Sequence, residues 1–199
     1  MSKAKIGIIL GSTRDNRFTD APARWVREAA SGRTNLDFEL LDLRDFDLPF
    51  FNEKASNAWT PTQDPEGVRW QKKLTEFDGF IFITPEYNHS VPAVLKNALD
   101  FAAPEWNRKP AAFVGYGPVG AARAVEQLRL VVAELQMASV RSAVHIQGAD
   151  FMGVAKGERT LGSIDHLNDG LEALFSDLEW WTRALKEARE KGAEFEKAA

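Results

Sequence analysis

The chain has 199 residues, 44% of them hydrophobic and 27% charged, with a formal net charge of −4 and no cysteine. That composition is ordinary for a globular protein and argues against a disordered chain, and the missing thiols exclude a disulfide framework, a thiolate nucleophile and a thiolate metal site. The mild acidity gives no global attraction to nucleic acid or anionic lipid.

At this length one domain spanning 1–199 is expected. No apolar run approaches the ~20 residues of a membrane span. Ile6 to Gly11 is too short, and too soon followed by Ser12-Thr13-Arg14, to be a secretory core. The expectation is a soluble cytoplasmic protein.

Lys5 to Leu10 is rich in β-branched residues and reads as a strand buried on both faces. It enters Gly11-Ser12-Thr13-Arg14-Asp15-Asn16-Arg17, a turn dense in hydroxyls and cations, ahead of a helix from about Phe18 to Ala30. Leu36 to Leu43 alternates apolar and acidic residues, as an edge strand with one wetter face would. From Arg44 to Glu66 periodicity is lost, although Phe46, Leu48, Phe50, Phe51 and Trp59 keep the stretch apolar. So long a loop in a compact domain covers a site or meets a partner. A short helix over Glu66 to Glu76 follows.

Phe80 to Ile83 is a short apolar strand that breaks at Thr84-Pro85, since proline lacks the donor a central ladder needs. A polar crest, Glu86 to Ser90, leads into a helix over Val91 to Phe101. Pro110 to Tyr116 reads as a fourth strand, Ala121 to Met137 as a helix and Val140 to Ile146 as a fifth strand. Gln147 to Ser163 reads as a glycine-spaced loop before a long helix, residues 164–191. In that helix Leu167, Leu171, Leu174, Leu178, Trp181 and Leu185 form a packing stripe, and Trp180 and Trp181 cannot both face one core. Strands alternating with helices give an α/β class with a five-stranded parallel sheet.

Three loops carry candidate chemistry. Ser12, Thr13, Arg14 and Arg17, with Phe18 behind them, suit a single phosphate at a strand-to-helix turn, or simply a capped helix start with solvated arginines. Pro85, Glu86, Tyr87 and Asn88 suit a planar ring and its polar edge, or a plain turn before a helix. Glu86 reads as a surface or ion-pair carboxylate rather than an acid–base group. In the loop of Tyr116, Gly117, Pro118, Val119 and Gly120, the glycines Gly115, Gly117 and Gly120 allow close backbone approach, or form only a tight strand-to-helix connection. His89, His145 and His166 lack metal-ligand spacing, so no metal site is expected. Neither a dinucleotide glycine triplet nor a Gly-x-Ser-x-Gly elbow is present.

Gly-Ser-Thr-Arg at 11–14, Thr-Pro-Glu-Tyr-Asn-His-Ser-Val-Pro at 84–92, Leu-Lys-Asn-Ala-Leu-Asp at 95–100 and Ala-Arg-Ala-Val-Glu-Gln-Leu-Arg at 122–129 form a specific set. Together they resemble the NADPH-dependent FMN reductase family, over about residues 5–146. The resemblance implies a flavodoxin-like three-layer fold with strand order 2-1-3-4-5, bound FMN, and NADPH or NADH as co-substrate. It also implies a homodimer or homotetramer. Carried over by position, Ser12, Arg14 and Arg17 hold the phosphate, Pro85 to Asn88 line the ring and ribityl chain, and Gly117 with its neighbours flanks the pyrimidine end. Pro118-Val119 and Asp15-Asn16 depart from the small residues and the Pro-Gly of many relatives.

The expected activity is hydride transfer from NAD(P)H through FMN to a quinone, free flavin or similar small acceptor, by ping-pong kinetics and without an essential side-chain acid or base. The competing reading is a non-enzymatic FMN electron carrier of the flavodoxin type, and mild acidity argues against its strongly charged docking surface. A nicotinamide enzyme without flavin would need the glycine triplet that is missing, and a pure interaction domain would bind no FMN.

Overall fold

The computed structural model describes residues 3–198, with side chains described through residue 192. Five parallel strands form one sheet: β1 (Ala4–Leu10), β2 (Leu36–Asp42), β3 (Gly79–Pro85), β4 (Pro110–Tyr116) and β5 (Ala138–Ile146), in the order 2-1-3-4-5. Helices α1 (Asp20–Ala30), α2 (Pro65–Leu74), α3 (Ala93–Asp100), α4 (Ala122–Glu134), α5 (Gly148–Ala155) and α6 (Asp165–Ala198) flank it. This is the flavodoxin-like architecture, and β2 is the wetter edge strand its alternation predicted.

Side-chain alternation divides the core in two. Ile6, Ile8, Leu10, Ile81, Ile83 and Val114 face one layer, packed against Trp25 and Val26 of α1 and Leu171, Leu174 and Leu178 of α6. Ile9, Phe80, Phe82 and Phe113 face the other, against Trp70, Leu99, Leu128 and the fully buried Trp106. All seven β3 residues are buried, which explains its unbroken apolar run. Thr84 and Pro85 still belong to β3, with Pro85 opposite Tyr116, so the strand runs two residues beyond Ile83 and through the predicted break.

Two expectations need correction. The stretch read as loop over 147–163 contains α5 and a single 3₁₀ turn at Leu161–Ser163. In α6, Trp181 is 37% and Trp180 64% exposed, with their rings edge-on to each other. The buried position falls to Thr182, whose hydroxyl donates to the Leu178 carbonyl at 2.6 Å and so is satisfied inside the core.

The chain reverses direction across the sheet between β1 and β3, the switch point at which open α/β sheets leave a crevice beyond their carboxyl ends. There the Gly11 N–H donates to the Ile83 carbonyl at 2.8 Å, and a Cβ on Gly11 would lie 2.8 Å from that oxygen. Only glycine lets the two strand ends meet so closely.

Candidate functional site

Beyond the ends of β1, β3 and β4 lies a cavity of about 470 Å³ lined by Arg14, Asn16, Arg17, Phe18, Pro85, Glu86, Tyr87, Tyr116, Gly117, Pro118, Phe151 and Ala155. Nine residues singled out from the sequence thus meet in one place. Ser12 and Thr13 face an adjoining cavity of about 400 Å³, also lined by Leu48, Phe50, Pro92 and Asn97. Arg14 and Tyr87 belong to both and stand between them. Asn88, Val119 and Gly120 line neither of these two cavities.

The loop after β1 is held from behind. Arg17 is almost wholly buried, and four hydrogen bonds and one further ion-pair contact engage its guanidinium. Nε meets Asp20 at 2.8 Å, Nη1 meets the Ser12 carbonyl at 2.8 Å and Asp42 at 2.7 Å, and Nη2 meets Asp42 and Asp20 at 2.6 Å. Asp42 beside it keeps the Arg17 guanidinium even more firmly charged than usual. Burial disfavours the Asp42 carboxylate, yet Arg17 and Arg44 outweigh that and hold its pKa well below the ordinary range. Arg14 is exposed, and neighbouring Tyr87 shifts its pKa further upward. Among the described residues no acceptor meets the backbone N–H groups of residues 12–17. Helix α1 begins only at Asp20, later than the sequence suggested, so its first turn stands behind this loop.

Three aromatic rings make the floor. Phe18 lies 5.1 Å from Tyr116 and 4.9 Å from Phe151, and Tyr116 stacks on Phe151 at 6.5 Å. The Tyr116 hydroxyl shares a hydrogen bond with the buried Thr19. Burial pushes the Tyr116 phenol up to about 12, so it stays neutral through the working pH range. Phe151 and Ala155 are additions that sequence reasoning missed, because both lie on α5.

The crest after β3 is a tight hairpin. Tyr87 and Ser90 exchange backbone hydrogen bonds at 2.9 and 3.1 Å, while Asn88 (φ 50) and His89 (φ 69) take left-handed conformations. Two successive positive φ values are the mark of a type I′ turn, in which asparagine is well tolerated. The turn puts Asn88 at an exposed tip and leaves Tyr87 at the cavity wall. Ser12 Oγ lies 3.2 Å from the Tyr87 hydroxyl, joining the first and second loops.

The third loop turns at Gly117, whose φ of 135° favours glycine and keeps a side chain out of the cavity rim. Its N–H donates to Ile146 and its carbonyl accepts from Gly120. His145 Nδ1 lies 2.7 Å from the Gly120 carbonyl, which fixes Nδ1 as the protonated nitrogen and makes His145 a packing residue. No grouping of three or more histidine, cysteine, aspartate or glutamate side chains suited to a metal occurs among the described residues. Nor is any helix among them long and apolar enough to cross a membrane.

Comparison with known proteins shows what the chain resembles. The model of the NADPH-dependent FMN reductase family matches residues 4–150. An NAD(P)H-dependent FMN reductase of Schizosaccharomyces pombe is 40% identical over 136 residues, covering 67% of this chain and 68% of that protein. A 2-hydroxy-1,4-benzoquinone reductase of a Burkholderia species is 33% identical over 141 residues, covering 67% and 72%. The solved structure of FerB, a flavoenzyme NAD(P)H:(acceptor) oxidoreductase from Paracoccus denitrificans, superposes with a TM-score of 0.62 at 28% identity, over 86% of this chain and 98% of that one. With a family match over most of its length and the strand order 2-1-3-4-5, the chain belongs to the NADPH-dependent FMN reductase family, oxidoreductases that work with FMN and a reduced nicotinamide.

Proposed function

We propose that the cavity beyond β1, β3 and β4 holds FMN and that the protein reduces a quinone, free flavin or similar small acceptor at the expense of NAD(P)H by ping-pong kinetics. The observation that carries this is the pairing of an exposed guanidinium and unpaired backbone N–H groups at residues 12–17 with an aromatic-floored cavity beside them. The donor set suits a phosphate, and the flat apolar floor suits a ring. When bound, FMN would accept a hydride from the nicotinamide and release the electrons to the second substrate in a separate step.

In this reading Arg14 contacts the phosphate with the backbone N–H groups of residues 13–16, while Arg17 shapes the loop from beneath. Phe18, Tyr116 and Phe151 exclude water from one ring face, Pro85 to Tyr87 border the ring, and Gly117-Pro118 close the far end. No side chain in the cavity is assigned a proton transfer. The exposed Phe50 and Trp59, 83% and 84% accessible, support a homodimer or homotetramer that buries the 44–66 segment. Sedimentation at micromolar concentration tests that part.

The decisive experiment is a visible spectrum of FMN-loaded protein, bleached anaerobically by NADPH and recoloured by a quinone with no nicotinamide remaining. Bleaching without recolouring across a panel of quinones and flavins would remove the acceptor assignment; no bleaching by either nicotinamide would remove the activity.

A further inference from the structure

Helix α4 begins without a cap of its own. Ala121 precedes it in a left-handed conformation, φ 55, and has no side-chain acceptor. The first-turn N–H groups that every helix leaves over therefore need another partner. Glu86 is that partner, from 37 positions earlier in the chain: its Oε2 accepts from the N–H of Arg123 at 3.1 Å and lies 3.3 Å from the N–H of Ala124. These are the second and third helical positions, the same donors a serine or aspartate N-cap meets locally. The other oxygen takes Nε of Arg123 at 2.5 Å, and the side chain is only 6% exposed. A second tie runs alongside, with Gln127 Nε2 donating to the His89 carbonyl at 2.7 Å.

We propose that Glu86 is a positioning residue: it caps α4 in trans and thereby fixes the spacing between the 84–90 hairpin and the 115–121 loop, the two walls that border the flavin ring. This rests on the FMN reading above. Burial works against the charge on Glu86, but the Arg123 guanidinium and the two N–H groups hold its pKa below the usual carboxylate range. A carboxylate engaged in this way on both oxygens has no role in proton transfer. Its negative charge also offsets the positive end of α4, so that end is not left over as an anion site facing the ring.

The test uses full-length protein stripped of FMN, with amide exchange followed by NMR and FMN titrated by fluorescence quenching. Glu86→Leu is expected to speed exchange at Arg123 and Ala124 about tenfold and to weaken FMN binding by a similar factor. Glu86→Gln keeps an acceptor oxygen and is expected to restore both to within about threefold of wild type. Arg123→Ala removes the guanidinium but not the backbone donors, and is likewise expected to stay within about threefold. Wild-type protection and affinity in Glu86→Leu would overturn the proposal, as would an Arg123→Ala variant that behaves like Glu86→Leu. Should Glu86→Leu not fold, Glu86→Gln still decides: a large loss of kcat at unchanged FMN affinity would mark Glu86 as an acid–base group and overturn it. Wild-type protein that binds no FMN would refute the flavin reading alone, because the exchange measurement on FMN-free protein still judges the cap.

Discussion

Arg17 and Asp42 face each other fork to fork: Nη1 and Nη2 meet the two carboxylate oxygens at 2.7 and 2.6 Å, joining the loop after β1 to the end of β2. Bidentate pairs of this kind combine strength with fixed geometry. The Arg17 side chain is 2% and that of Asp42 20% exposed, so breaking the pair leaves a nearly buried charge with only Asp20 for company.

Asp42→Asn is therefore expected to destabilise the protein by about 2 kcal/mol at pH 7, below the ~3–5 kcal/mol of a fully buried pair. Because the folded-state pKa of Asp42 is depressed, its contribution is present above the ordinary aspartate pKa and is lost as pH falls toward the folded value. Urea titrations of wild type and variant should differ by the full amount at pH 7, begin to converge only below about pH 4 and close progressively as the folded-state value is approached.

Arg14→Ala tests the phosphate assignment directly. FMN affinity is expected to fall about 10- to 100-fold, with a shallower dependence on salt, while stability hardly changes because the side chain is exposed. Equal flavin retention in both proteins at low and high salt would sink the assignment.

Phe151→Ala tests the contribution of α5. Phe151 touches Phe18 and stacks on Tyr116, so its loss opens the aromatic floor and is expected to weaken FMN binding about tenfold. Retention of riboflavin, which lacks the phosphate, should fall by the same factor, whereas Arg14→Ala should leave riboflavin binding unchanged.

Lys109 sits at the opposite end of the sheet, 8% exposed, with Nζ donating to the Leu74 carbonyl at 3.0 Å. Burial, aided by Arg189, lowers its pKa to about 8 against the pull of Asp78 and Glu105. A depressed lysine pKa means that the unfolded chain binds the proton more tightly, so this group's contribution to stability rises with pH between about 8 and 10.4. Lys109→Met, similar in volume, is expected to be neutral or stabilising by about 1 kcal/mol at pH 7. That advantage should shrink as pH rises through this window, as thermal melts at pH 7 and 10 would show.

Where pattern and burial coincide, the structure could be read in the residues. Phe80 to Ile83 is apolar on both faces because both faces of β3 are covered, and Leu36 to Leu43 alternates because β2 is an edge. Helix α5 was not legible: Gly148 opens it, Gly153 lies inside it and Gly157 follows just past its end, and its helicity depends on Phe151 and Val154 packing against the core. The engagement of Arg17 was equally hidden, since its partner Asp42 lies 25 positions away on another strand. Glu86 could be read as something other than a proton carrier, but not as the acceptor for a helix 37 positions later.

The charges beneath the 12–17 loop nearly cancel. Arg17 and Arg44 stand against Asp20 and Asp42 in one connected network, and among the described residues no ion pair engages Arg14, the loop's other cation, with Asp15 exposed next to it. A phosphate of nearly two negative charges would thus settle on roughly one positive charge and a row of neutral dipoles. Such a seat would exchange its occupant. Dialysis against about 1 M salt, where screening acts within ~3 Å, should release the flavin from a folded protein and let another be loaded in its place.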